Sequence, residues 1–87
     1  MYFNVGNPLR VRLSEIMRSL TGDSRYNFND IIDITFYDDA MRIIFRDRDA
    51  REQRKAKKIY LPYNLIKSSL DIIKERLRVV DHIIFKQ

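Results

Sequence analysis

Residues 46 to 58, RDRDAREQRKAKK, carry seven basic and three acidic side chains and no large apolar one. Arg46, Arg48, Arg51, Arg54, Lys55, Lys57 and Lys58 are groups that hold phosphate. A guanidinium offers a planar fork to two oxygens, whereas an ammonium acts as a compact point charge. The remaining sequence is nearly balanced: residues 1 to 45 have five basic and six acidic groups and residues 59 to 87 have five and three, so −1, +4 and +2 give the net +5. Most of the excess charge is therefore local. Such a cluster can replace counterions along a phosphate backbone, which makes nucleic acid the first partner to consider.

A plainer explanation competes: Asp47, Asp49 and Glu52 would pair locally with the cations and leave a solvated hairpin, each exposed pair contributing about 0 to 1 kcal/mol. The order of charges favours the phosphate reading, because acids stop at Glu52 and RKAKK follows with no counter-charge. Arg42, Tyr37 and Tyr60 fall on the same predicted sheet face, where tyrosines could stack bases for ~1 to 3 kcal/mol each. A basic sheet face with aromatics suits splayed single-stranded or looped RNA better than duplex DNA. The Lys/Arg-Gly-Phe/Tyr core of the familiar RNA-binding sheet is absent.

Enzymatic chemistry finds less material. His82, the sole histidine, sits in an apolar stretch beside Asp81, and no Ser or Cys lies in a setting that would activate a nucleophile. Asp38-Asp39 and Asp47-x-Asp49 lack converging ligands for a divalent ion, and arginines flank the second pair. The expectation is a non-enzymatic protein without cofactor or metal. The rival is a protein-binding module or inhibitor whose hairpin or edge strand docks on an acidic surface. Its small size, Asn, Asp, Ile and aromatic content, and lack of a catalytic set resemble accessory proteins that bacteriophages direct against host defences or toxins, with no motif behind the likeness.

The elements that must position these groups follow from periodicity. The aromatic residues of MYFNV predict a first strand over 1–5, stopped by Gly6 and Asn7-Pro8. Leu9, Leu13, Ile16 and Leu20, with Met17 beside them and Gly22 as C-terminal cap, predict a helix over 8–21. Alternation of Leu9, Val11 and Leu13 with arginines leaves a strand there as the alternative. Residues 22–30 read as a loop that tacks Tyr26 and Phe28 onto the core.

A hairpin with Asp38-Asp39 at its tip would put Phe36 opposite Met41, Ile34 opposite Ile43 and Ile32 opposite Phe45. Ile31, Asp33, Thr35 and Tyr37 would then face Arg46, Ile44, Arg42 and Ala40 on the other side. Lys57, Ile59 and Leu61 alternate with Lys58 and Tyr60 and predict a third strand after the charged loop. Asn64 as N-cap would start a helix carrying Leu65, Ile66, Leu70, Ile73 and Leu77, and VVDHIIFKQ reads as a strand shielded on both faces or interior to the sheet.

The predicted order is β-α-β-β-β-α-β, an α+β two-layer sandwich with two helices on one face of a small mixed β-sheet, in one domain over 1–87. An 87-residue chain supports one modest core. Its 45% apolar and 33% charged composition is that of a folded domain, alone or as a small oligomer such as a homodimer. Absence of cysteine fits a reducing, cytoplasmic setting. No apolar run is long enough for a signal peptide or membrane span, and no membrane partner is expected.

Overall fold

A computed structural model of the chain describes residues 7–51, 55–66 and 70–86. The described elements are helix α1 (Asn7–Thr21), strands β1 (Ile31–Phe36), β2 (Ala40–Arg46) and β3 (Ala56–Pro62), helix α2 (Leu70–Arg78) and strand β4 (Ile84–Lys86), with short 3-10 turns at Phe28–Asp30 and Tyr63–Leu65. This is a small α+β fold with two helices and a four-stranded mixed sheet. The strand expected at 1–5 lies outside the described residues. The chain divides into two compact units, residues 1–30 and 31–87.

In the first unit, the helix reading over Leu9 to Leu13 prevails and Val11 is simply an exposed position on α1. Leu13 and Met17, four residues apart, are fully buried, while Leu20 is exposed and drops out of the expected stripe. Gly22 takes a left-handed φ of 71° and its N–H closes on the Arg18 carbonyl at 2.9 Å, the cap that ends the helix. Two side chains of α1 that local patterning did not single out hold the following loop. The Ser14 hydroxyl accepts the Phe28 N–H at 2.9 Å, and Arg18 Nε donates to the Tyr26 carbonyl at 2.7 Å. Tyr26 and Phe28 are buried, as their apolar rings within a polar loop predict.

In the second unit the strand order is β3-β2-β1-β4, with β2 antiparallel to both β1 and β3 and β4 parallel to β1. Phe36 opposite Met41 and Ile34 opposite Ile43 match the predicted hairpin register, and Leu61 and Ile59 continue the same two rows onto β3. Met41, Ile43, Phe45 and Leu61 are buried. Helix α2 lies over this inner face, where Lys74 Nζ sits 5.3 Å from the Phe36 ring centre, and it buries Ile73 and Leu77.

Three local expectations are corrected. A bulge between Ile31 and Asp33 makes Ile31, instead of Ile32, the partner of Phe45. One extra residue flips the parity upstream of it, so Ile31 is buried and Ile32 is 38% exposed. Helix α2 does not begin at Asn64: that residue belongs to a 3-10 turn, and Ile66 is extended with φ −106° and ψ 100°. The last strand is only three residues long and is the outermost of the described strands on its side, not an interior one. His82 accordingly sits exposed in a turn ahead of it. No described helix is long and apolar enough to cross a membrane.

Candidate nucleic-acid interface

Side chains directly opposite one another on neighbouring strands project from the same face. The face opposite the core therefore carries Arg42 and Tyr60 as one pair, Ile44 and Lys58 as the next, and Arg46 and Ala56 as the last. On the β1 side the same face continues through Thr35 beside Arg42 and Asp33 beside Ile44. Strand β4 adds Lys86 beside Thr35 and Ile84 beside Asp33.

The hairpin end of this face is aromatic. Tyr37 follows β1 directly, and its ring centre lies 6.4 Å from that of Tyr60, the planes tilted by 38°. Both rings are about half open to solvent, at 44% and 53% exposure. Arg42 places its guanidinium 5.8 Å from the Tyr37 ring centre, within the range of a cation–π contact. Its Nη2 donates to Thr35 Oγ1 at 3.2 Å. Arg42 Nε is buried without an acceptor among the described residues, an arrangement that costs a protein about 1 to 3 kcal/mol relative to a satisfied donor.

A polar chain extends from that contact. Thr35 Oγ1 donates to Asp33 Oδ1 at 3.1 Å, and Lys86 Nζ pairs with Asp33 Oδ2 at 3.1 Å. Asp33 is only 5% exposed, so this carboxylate serves the fold more than the surface. The sequence pattern had put Asp33 on this face, but Lys86 reaches it only through the parallel pairing of β4. Tyr63 was also unforeseen: its phenol donates to the Tyr37 carbonyl, and its backbone N–H donates to the Asp39 carbonyl at 3.2 Å. These bonds tie the turn after β3 to the end of β1 and hold the backbone beneath the Tyr37 ring.

The predicted cations are sorted into three places. Arg42, Arg46 and Lys58 share the outer face with Tyr37 and Tyr60, Arg46 and Lys58 being exposed. Lys57 is opposite Phe45 and thus on the other side of β3, where its ammonium lies 3.6 Å from Asp47 and 3.9 Å from Asp49. Arg48, Arg51 and Lys55 belong to the connecting loop, whose Asp47 N–H donates to the Lys55 carbonyl at 3.0 Å. Arg54 lies outside the described residues. The single continuous cationic surface expected from the sequence is therefore smaller than the charge count implied, and the Asp47-x-Asp49 carboxylates face a lysine.

Among the described strand residues, the outer face holds four cations, Arg42, Arg46, Lys58 and Lys86, against one carboxylate, Asp33. Two solvent-open tyrosines stand among them. Such a surface can stack planar groups and hold phosphates at its margin. Comparison with family models, with curated proteins and with solved structures found no match to this chain.

Proposed function

We propose that this chain is a small, non-enzymatic nucleic-acid-binding domain of the cytoplasm, with RNA preferred, that takes a single strand across the outer face of its sheet. Bases stack on Tyr37 and Tyr60, and Arg46 and Lys58 with the loop cations Arg51 and Lys55 contact phosphates. The observation that carries this reading is the Tyr37–Tyr60 pair, open to solvent beside a guanidinium within cation–π range of one of the rings. Packing does not call for two half-exposed aromatics next to a buried, unsatisfied donor, whereas a ligand-binding surface tolerates both.

The test is binding of single-stranded RNA across a salt series. Three or four phosphate contacts give a slope of log affinity against log salt of roughly −2 to −3 for a single strand. An affinity independent of salt, or equal binding by a variant lacking Arg46, Lys58 and Tyr60, would remove the basis for the assignment.

One observation favours a second reading. Among the described strands β3 pairs only with β2, and a segment added at its other edge would meet Lys55 and Lys58 if acidic. On that reading the chain is a docking or inhibitory module. A pull-down repeated after nuclease treatment separates the two: a protein partner retained without nucleic acid supports docking, and its loss supports the RNA surface.

A further inference from the structure

We infer that the unit formed by α1 and its following loop carries a separate anion site, suited to a small molecule with a phosphate or carboxylate on a flat apolar body. An open pocket of about 260 Å³ lies between α1 and the loop at 27–29. Arg10, Ser14 and Arg18 recur at i, i+4 and i+8, so they form one stripe running roughly 12 Å along the helix. The loop is bonded along that stripe: the Ser14 hydroxyl donates to the Arg10 carbonyl at 2.8 Å while accepting the Phe28 N–H, and Arg18 Nε donates to the Tyr26 carbonyl at 2.7 Å. Two guanidiniums thus flank one cleft.

Their free edges suit an oxyanion. With Nε of Arg18 committed to Tyr26, the Nη1–Nη2 edge is the one left for a ligand, and that edge can fork onto two oxygens. Arg10 rests its guanidinium 5.1 Å from the centre of the Phe28 ring, a cation–π contact that uses none of its hydrogen-bond donors. Among the described residues neither arginine pairs with a carboxylate, although Arg25 in the same unit is bonded to Asp23.

The rest of the lining sets the class of ligand. Val11, 54% exposed, and the buried Phe28 supply an apolar wall. Asn27 is already occupied, its Oδ1 accepting the Asn29 N–H at 2.8 Å, so polar recognition falls chiefly to the arginines. A volume near 260 Å³ is at the small end for ligand pockets, enough for an oxyanion with a ring and too little for a folded partner. The site shares no residue with the outer sheet face and stands or falls independently of it.

Titration of the labelled protein with phenyl phosphate, benzoate, phenol and inorganic phosphate tests this, following the side-chain Nε–H resonances of Arg10 and Arg18. Saturable shifts with phenyl phosphate or benzoate are expected, the tighter of the two naming the oxyanion, and Arg18→Gln should weaken binding roughly tenfold. Arg10→Gln, which removes a side chain with no hydrogen bond to the loop, gives the same test should Arg18→Gln disturb the fold. An equal response to phenol, shifts that do not saturate with any anion, or unchanged affinity in Arg10→Gln would overturn the inference.

Discussion

The Arg42 guanidinium lies 5.8 Å from the centre of the Tyr37 ring and donates to Thr35 Oγ1 at 3.2 Å, so one side chain joins the aromatic pair of the outer sheet face to the polar chain ending at Lys86. That geometry uses the guanidinium plane as well as its charge. Arg42→Lys should therefore weaken RNA binding roughly fivefold while leaving the salt slope close to wild type, because the charge stays and the plane is lost. Fluorescence anisotropy with a labelled single strand at two salt concentrations reads both quantities.

Tyr60→Phe keeps the ring and should bind like the parent. Tyr60→Ala removes a stacking surface worth ~1 to 3 kcal/mol per base and should reduce affinity about tenfold or more without unfolding a side chain that is already half exposed. Equal affinities for the two variants, measured alongside circular dichroism to confirm the fold, would exclude base stacking at this position.

Adjacent lysines should behave differently. Lys58→Ala should reduce the magnitude of the salt slope by about 0.7, the contribution of one phosphate contact to single-strand binding. Lys57, turned to the opposite face and held near Asp47 and Asp49, should leave the slope unchanged when replaced by alanine and alter stability by no more than about 0 to 1 kcal/mol. Salt titration of the two single variants checks the assignment of faces.

The bulge in β1 makes a stability prediction that the unbroken alternation would reverse. Ile31→Ala empties a buried site opposite Phe45 and should cost about 2 to 5 kcal/mol, whereas Ile32→Ala, at an exposed position, should cost less than about 1 kcal/mol. Urea denaturation of both variants decides the register.

Tyr63 predicts an alkaline sensitivity. Burial pushes its phenol above the ordinary tyrosine value, and the nearby Asp39 and Asp38 carboxylates raise it further. A pKa raised by folding means that the contribution is fully present below the unfolded value of about 10 and is lost as pH climbs through the higher folded value. Tyr63→Phe should show a flatter fall in stability at alkaline pH, seen by thermal melts across that range, and ultraviolet titration should lose one phenolate component that ionises above about 10.

Much of this architecture follows from short-range pattern. Alternation through Ile34, Phe36, Met41, Ile43 and Leu61 specifies which sides of β1, β2 and β3 are buried, and with them the shared outer face of Arg42, Tyr37 and Tyr60, because side-chain parity in a strand is a local property. Gly22 ends α1 for a similarly local reason, a left-handed φ that other residues adopt at a cost. Charge counting found the basic segment but could not divide it, since Lys57 and Lys58 differ only in the face that pairing with Phe45 and Ile44 assigns them.

Tertiary structure decided the rest. The extra residue at Ile32, the parallel seat of β4 that brings Lys86 to Asp33, and the bond from Tyr63 back to Tyr37 each depend on partners far apart along the chain. Local propensity carries no record of such partners. The same is true of Ser14 and Arg18, ordinary polar residues of an amphipathic helix until the loop folds back and uses them as hydrogen-bonding posts. The types of side chain available for binding and the shared outer face of Arg42, Tyr37 and Tyr60 were therefore written in the sequence, while the ion-paired lysine and the separate arginine-lined pocket arose only where distant segments met.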